Sequence, residues 1–302
     1  MTFYFQGFPM KYVFYLFMLF SSSVAAKPAL VIDILSNENF SERYSAFLNG
    51  RDVLSITDFT ANTDGSHLEI VEMILLQQAL YLGGETRPVE FRAQPWAANT
   101  EFDALIDGTS LMLARSMWHE DILNYRGSLY VSDAVIEFGQ YEAGLYVSAD
   151  NLQAQQLQLS QLNKLTVVVN PRWHVDWRAL INTPMSAISY IGPWEEMLAM
   201  VKANVVDAMM INFSVGANLD LNYEGHLFTP IKNVKVVLPD TRHFVVSKNH
   251  PQGKEVAQAL FTGLNVLRQR GIINKAFQQS GFINQQVKDW QVVNQQMIVT
   301  KQ

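Results

Sequence analysis

Two short groups of acids and histidines have the residue types that proton-transfer chemistry uses. His119, Glu120 and Asp121 are consecutive, and His174 lies two residues before Asp176. Adjacent side chains on one element point in different directions, so we expect His119 to Asp121 to lie in a solvated loop. His174 and Asp176 could converge on one face of a strand, but a surface position is the expectation here too. No two carboxylates form an evident acid–base couple, so we predict no catalytic residue.

Other catalytic signatures are absent from the sequence. It contains no G-x-S-x-G, no phosphate-loop lysine motif, no G-x-G-x-x-G and no H-E-x-x-H. The 6 histidines show no metal-ligand spacing, and there is no cysteine, which excludes disulfides, thiolate catalysis and cysteine-based zinc sites. We therefore expect a protein that is not an enzyme and that uses no metal and no cofactor.

Aromatic and polar residues stand near the ends of several predicted strands, and these are the stronger candidates for a binding site. In α/β sheets, ligands bind beyond the carboxyl ends of the strands. The alternative interpretation is that each tryptophan only fills local packing. The ligand-binding residues that this reasoning selects are Trp96, Ser116, Trp118, Arg172, Trp173, Tyr190, Trp194 and Asn212.

Hydrophobic patterning supplies the elements that would position these residues. Gly271 is expected to cap a long helix, and Pro193 to occupy the first position of another. Strands are predicted at residues 29–35, 53–59, 88–92, 111–114, 143–147, 165–169, 187–191, 205–211, 234–238 and 243–247. Helices are predicted at residues 67–82, 102–107, 177–181, 194–202, 256–270 and 273–279. Strands alternate with helices, which predicts an α/β architecture with parallel sheets.

The N-terminal stretch has the pattern of a secretory signal peptide. Lys11 precedes a short apolar run, and the run ends in small residues at Val24 and Ala26. The run is shorter than the roughly 20 residues that span a bilayer, although an uncleaved anchor helix is the alternative. Met10 is the expected start, and Tyr4-Phe5-Gln6-Gly7 resembles a tag remnant or reflects a misassigned upstream start. We expect residues 1–26 to be removed and the protein to be periplasmic.

The net negative charge of the chain argues against some classes of binding partner. The first 26 residues hold one Lys and no acid, so the remainder has 21 basic and 28 acidic residues and a formal charge of −7. An acidic chain is a poor partner for nucleic acid or for an anionic membrane surface. Half of the residues are apolar, which is typical of a globular chain.

The order of several segments resembles the type II periplasmic solute-binding proteins, of the family-3 kind that includes amino-acid-binding and sensory members. The segments are FDALIDG at residues 102–108, VSDAV at 131–135, GLYV at 144–147, MLAMV at 197–201 with VDA at 206–208, and FVVSK at 244–248. The resemblance covers most of residues 28–283. It implies two lobes, each with a mostly parallel sheet flanked by helices, joined by hinge strands near residues 144–147 and 237–242.

The resemblance also implies a division of the chain and a class of function. Lobe 1 would comprise residues 27–142 plus 241–302, and lobe 2 residues 143–240. The protein would close on a small ligand and present it to a membrane permease or a membrane sensor. Two alternatives stay open: a module that acts through protein contact without a ligand, and an enzyme on the same fold.

Two departures from the family pattern concern the ligand. Amino-acid binders carry an Arg a few residues after the third strand, which clamps the ligand carboxylate. Here residues 117–123 contain no Arg, and Arg115 and Arg126 are out of register. The family's Asp for the ligand ammonium is matched by Asn212. We therefore expect a ligand other than a standard amino acid, with the tryptophans framing an aromatic, cationic or heterocyclic group.

Overall fold

The computed structural model describes residue 1 and residues 28–35, 40–60, 68–94, 100–214 and 216–299. The helices are α1 Phe40–Leu48, α2 Leu68–Leu82, α3 Thr100–Asp107, α4 His119–Ile122, α5 Leu152–Gln155, α6 His174–Ile181, α7 Trp194–Lys202, α8 Gly253–Gln269, α9 Ile272–Gln279 and α10 Gln296–Val299. The strands are β1 Leu30–Leu35, β2 Val89–Gln94, β3 Met117–Trp118, β4 Leu129–Val131, β5 Glu142–Ser148, β6 Thr166–Val169, β7 Ser186–Ser189, β8 Ala208–Asn212, β9 Leu221–Tyr223, β10 His226–Pro230, β11 Val234–Val237, β12 Arg242–His243, β13 Val245–Ser247 and β14 Gln291–Val292.

Lobe 1 is built on a small sheet whose members come from both ends of the chain. β1 pairs with β2 in parallel, and β13 pairs with β4 in antiparallel orientation. Single bridges from Asp33 to Leu113 and from Met112 to Val246 join the two pairs. The resulting order is β2, β1, the segment around Met112, β13 and β4. The carboxyl end of β1 therefore faces the same edge as the segment that leads into Ser116.

Helices α2 and α8 pack against each other through small residues. A Cβ on Gly83 would lie 1.8 Å from the Ala259 carbonyl oxygen, and one on Gly263 would lie 1.7 Å from that of Ala79. The two backbones therefore approach more closely than any larger residue permits. Most of α2 is buried on all sides, which explains its long, weakly patterned apolar sequence.

Lobe 2 is built on a mixed sheet. The order of the main path is β14, β11, β5, β8, β6 and β7. β6 pairs in parallel with β7 and with β8, as expected for strands that are connected through helices. β5 is antiparallel to β8, to β10 and to β11, because the chain crosses between the lobes along it. The two-lobed α/β fold class is confirmed, whereas the hinge strands depart from the parallel pairing expected for each lobe.

The C-terminal arm, defined as residues 284–299, lies on lobe 2 and not on lobe 1. β14 pairs with β11, and Val287 belongs to a buried cluster of lobe 2. The Asn284 side chain donates to the Ser214 carbonyl oxygen at 3.0 Å. The chain therefore crosses the junction a third time, and the expected assignment of residues 241–302 to lobe 1 does not hold for this arm.

Three local expectations are wrong, each for a local reason. The strand expected at residues 53–59 is a 3-10 turn at Val53–Ser55, because the Asp52 side chain accepts from the Leu54 amide at 3.1 Å and caps it. Residues 111–114 join the sheet only through isolated bridges. Pro193 is the N-cap of α7 and not its first residue, since its φ of −68° and ψ of 157° are extended. Gly271 does follow the end of α8 as expected: it comes directly after the C-cap residue Arg270 and has a left-handed φ of 69°.

Among the described residues, none of the helices combines the length and the apolar character needed to cross a membrane.

Candidate functional site

The junction of the lobes is organised around the side chain of Arg242. β12 pairs with β3, and in this register Arg242 lies opposite Trp118. The guanidinium carbon is 4.9 Å from the Trp118 ring centroid and 6.0 Å from that of Tyr141. Both distances are within the range of cation–π contact. Arg242 is thus held against two aromatic rings at the end of the return crossing, where the chain re-enters lobe 1.

A second set of contacts holds Arg242 from the side of lobe 1. Its Nε donates to Ser116 Oγ at 2.9 Å, and Nη2 donates to the Ser116 carbonyl oxygen. Ser116 in turn donates to Glu72, from Oγ to Oε1 and from its amide to Oε2 at 3.0 Å. Glu72 is fully buried in α2. Burial raises the pKa of Glu72, and the Arg242 guanidinium and the Ser116 donors oppose that rise.

The two lobes meet through the aromatic rings of Trp118 and Tyr141. The ring centroids are 4.9 Å apart, and the Tyr141 ring packs edge-on against Phe282 at 4.6 Å. Trp118 precedes α4 in lobe 1, yet it packs against the buried cluster of lobe 2. Tyr141 packs against the clusters of both lobes. Burial raises the pKa of the Tyr141 hydroxyl to about 12, although Arg242 and a hydrogen bond with Asn212 act in the opposite direction.

Lobe 2 contributes Asn212 and Asp176 to the same place. Asn212 ends β8, opposite Ala143 of the outgoing hinge strand. Asp176 lies in the first turn of α6, and its surroundings raise its pKa to about 7. Burial is the main cause, Arg242 lowers the pKa, and Asp121 raises it. Trp118, Tyr141, Asp176 and Asn212 all keep part of their surface accessible, as side chains that line a crevice do.

Charged side chains bridge the lobes between α4 and α6. Arg178 Nη2 lies 2.8 Å from Glu120 Oε2, and His174 Nδ1 lies 3.2 Å from Asp121 Oδ1. Asp240 Oδ2 accepts from the Glu120 amide at 2.9 Å, which fixes the start of α4. The acids of α4 and the bases of α6 therefore face each other at the mouth of the crevice.

A second concave surface lies in lobe 1, at the carboxyl end of β1. Arg92 donates to Asp33 from Nε to Oδ1 at 2.6 Å and from Nη2 to Oδ2 at 2.9 Å. Burial raises the pKa of Asp33, but the donors around it outweigh burial, so the pKa lies below its ordinary value. The pocket is lined by Asp33, Ile34, Phe40, Glu69, Ile70, Met73, Ala114 and Arg115.

Three of the residues predicted from the sequence lie in the junction: Ser116, Trp118 and Asn212. Trp173, Tyr190 and Trp194 instead pack together against a buried cluster of lobe 2. The Trp194 ring packs edge-on against Tyr223 at 5.2 Å, and the Tyr190 hydroxyl donates to Glu196. Arg172 is exposed. Trp96 lies outside the described residues, so its place in a site stays a prediction.

The sequence reasoning did not select Glu72, Tyr141, Asp176 or Arg242. Arg242 stood inside the predicted hinge crossing, which was the available signal for it. His119 to Asp121 lie in α4 rather than in a loop, and Asp176 lies in α6 rather than on a strand, with part of its surface accessible. Within the described ranges, acids, histidines and cysteines form no group of three that could hold a metal ion.

Comparison with solved structures shows the fold. The periplasmic VFT2 domain of BvgS from Bordetella pertussis is 13% identical, with a TM-score of 0.50 over 82% of this chain and 92% of that one. The probable amino-acid ABC transporter extracellular-binding protein YtmK from Bacillus subtilis is 12% identical, with a TM-score of 0.51 over 83% and 96%. No family model and no curated protein sequence matches the chain. The protein has the two-lobed fold of type II periplasmic solute-binding proteins.

Proposed function

We propose that this protein is an exported solute-binding protein whose lobes close on a small polar or aromatic ligand. The observation that carries the proposal is the convergence at the hinge of side chains from both lobes, of which Trp118, Tyr141, Asp176 and Asn212 are partly accessible. Trp118 and Arg242 come from the side of lobe 1, Asp176 and Asn212 come from lobe 2, and Tyr141 lies between them. A crevice that mixes aromatic faces with a few polar groups suits a small ligand.

The charges of the crevice support a ligand other than a standard α-amino acid. Asn212 stands where the family's ammonium-binding Asp is expected. The region after β3 offers Glu120 and Asp121 in place of a carboxylate-binding Arg, and Arg178 and His174 of α6 pair with them. Arg242 is the nearest cation, but it is directed to Ser116. A ligand with an aromatic or heterocyclic ring would use the faces of Trp118 and Tyr141.

Partner and location follow from the same proposal. Residues 1–26 would direct export, and closing of the lobes would present a shape that a membrane permease or a membrane sensor can distinguish. The protein would act by binding and would not be an enzyme. Mass spectrometry of the periplasmic fraction tests export, and a mature chain that begins near Lys27 is the expected result.

Titration calorimetry against a panel of amino acids, aromatic amines and heterocyclic metabolites tests the binding role. A panel member that binds should bind about tenfold more weakly to Trp118→Leu, since one aromatic contact contributes about 1.4 kcal/mol. Trp194→Leu is the matched control, because Trp194 packs against Tyr223 in lobe 2. Equal losses in both variants would place the site elsewhere.

Two results would overturn parts of the proposal separately. Tight binding of a standard amino acid would contradict the ligand class and leave the binding role in place. Failure of the whole panel to bind, or to raise the melting temperature, would contradict the binding role. It would favour a module that acts through protein contact.

A further inference from the structure

The strand β7 forms an outer edge of the lobe 2 sheet, on the far side of that sheet from β14 and the hinge strands. The amides of Ser186 and Tyr190 donate toward the chain segment that contains β6, at 2.9 Å and 3.1 Å. Because the backbone direction alternates along a strand, the N–H and C=O groups of Ala187 and Ser189 point away from β6. Among the described residues, no strand pairs with this outer side.

The β7 edge lacks the charged side chains that other sheet edges of the molecule carry. Residues 179–194 contain no acidic or basic residue. The edge strand β2 of lobe 1 carries Glu90 and Arg92, and β9, another outer strand of lobe 2, lies between Asp220 and Glu224. Charges on an exposed edge oppose pairing with another chain. Of these three edges, β7 is therefore the one whose sequence permits such pairing.

Antiparallel pairing of β7 with β7 of a second copy would satisfy the outward backbone groups. About a twofold axis at Ile188, Ala187 of each copy lies opposite Ser189 of the other copy. The two pairs then exchange four N–H to C=O hydrogen bonds. Ile188 lies opposite its own counterpart, and its side chain is only partly buried in the single chain. The edge is thus complementary to itself in its hydrogen bonds.

The residues that flank β7 are complementary in the same orientation, in which the amino end of one strand meets the carboxyl end of the other. Ile181 before the strand is 51% exposed and Ile191 after it is 62% exposed, so apolar side chains approach each other. The exposed Lys164 lies beside the amino end, and the exposed Glu195 lies beyond the carboxyl end. Opposite charges therefore face each other around an uncharged centre, although the whole chain has a formal charge of −6.

We propose that β7 is a self-association edge, through which two copies of this chain form a twofold dimer with one continuous sheet. The contact involves lobe 2 alone and leaves lobe 1 free to move, so this inference does not depend on the proposed solute binding. Pro184 and Pro193 lack an amide donor and restrict the pairing to a short stretch. The interface is therefore small, and we expect a dissociation constant between about 1 µM and about 1 mM.

Sedimentation equilibrium of the purified protein measures the dimer, over concentrations from about 1 µM to about 1 mM. Ser189→Pro removes an outward N–H that β6 does not use, and proline is tolerated on an edge strand at such a position. Two of the four bonds are lost, so dimerisation should weaken at least about tenfold. Ser189→Ala keeps the N–H and is the matched control, with the association of the wild-type chain. A monomer at every concentration, or equal association of the two variants, would overturn the proposal.

Disulfide cross-linking tests the position of the axis, and the chain has no cysteine of its own. In a non-hydrogen-bonded antiparallel pair, the Cα atoms are about 4.5 Å apart, within the roughly 4.4–6.8 Å that a disulfide spans. Ile188→Cys should therefore form a covalent dimer under mild oxidation. Asn222→Cys, at an exposed position of β9, is the control and should stay monomeric. Equal cross-linking of the two variants, or none in Ile188→Cys, would contradict this dimer and leave the edge to a peptide of another protein.

Discussion

The hinge side and the cleft side of the lobe junction are held by different interactions. On the hinge side, the Lys235 side chain is 5% exposed, lies 2.7 Å from Glu142 and donates to the carbonyl oxygens of Val287 and Lys288. On the cleft side, Arg178 and Glu120 are each 35% exposed. Buried ionic contacts cost several kcal/mol to break, whereas exposed pairs contribute about 0–1 kcal/mol.

This difference indicates which side of the lobe junction can open. The hinge side binds the C-terminal arm to the two hinge strands, so displacement of the arm or of either strand would leave buried charges and backbone groups without partners. The cleft side can separate at little cost, because water replaces most of its contacts. The four predictions below test this contrast, from the largest expected effect to the smallest.

Lys235→Met should have the largest effect on stability. The change leaves Glu142 and two backbone carbonyl groups without their donor in a buried place, so the free energy of unfolding should fall by about 3–5 kcal/mol. Urea denaturation measures this loss. Lys232→Met is the matched control, because Lys232 is exposed three residues earlier, and its effect should stay within about 0.5 kcal/mol. A loss below about 1 kcal/mol in Lys235→Met would contradict a rigid hinge side.

Arg242→Met should have the second-largest effect on stability. The free energy of unfolding should fall by about 3 kcal/mol at neutral pH, because the change removes the cation that faces the fully buried Glu72. The pKa of Glu72 is already raised by burial and would rise further. The stability of the variant should therefore recover as pH falls, since protonation neutralises the buried carboxyl. Urea denaturation at about pH 5 and about pH 8 measures the two losses. Glu72→Gln in the same chain should remove this pH dependence, and its persistence would assign it to another group.

Asn294→Ala tests how much the C-terminal arm contributes to stability, without changing a charge. The Asn294 side chain is fully buried, accepts from the Val237 amide at 3.1 Å and donates to the Val237 carbonyl oxygen at 2.9 Å. Its removal leaves both backbone groups unpaired, so a loss of about 2 kcal/mol is expected in urea denaturation. Asn218→Ala, at an exposed position, should be nearly neutral. Equal losses in the two variants would show that the arm contributes little.

The elements with strong local patterns could be predicted from the sequence. The helix at residues 194–202 and the long helix capped by Gly271 are confirmed, because apolar spacing and capping residues act within a few positions. The expected strand at residues 53–59 was wrong because the Asp52 cap outweighed an apolar run. The order of the segments was sufficient for the two-lobed fold.

The junction could be predicted only in part, because its contacts join residues that are distant in the chain. Arg242 reaches Ser116 across 126 positions, and Asn294 takes the place of a backbone partner for Val237. No local pattern marks either contact. Trp118 and Asn212 could be selected because they follow strands, but the same rule also selected Trp173 and Trp194, which pack within lobe 2.

The variant with the smallest expected effect on stability is on the cleft side. It should change the arrangement of the lobes while it hardly changes the free energy of unfolding. Arg178→Met with Glu120→Gln removes the exposed pair, and a double-mutant cycle in urea should give a coupling of about 0.5 kcal/mol that vanishes in about 1 M salt. With fluorophores on Lys254→Cys in lobe 1 and Lys202→Cys in lobe 2, both at exposed positions, the same double variant should shift energy transfer between the lobes toward the open arrangement. Arg268→Met with Asp133→Asn is the matched control, since that pair lies within lobe 1 and one partner is 89% exposed. The control should have a similarly small coupling and no effect on transfer. A coupling above about 2 kcal/mol at the cleft pair, or unchanged transfer on its removal, would show that both sides of the junction are equally rigid.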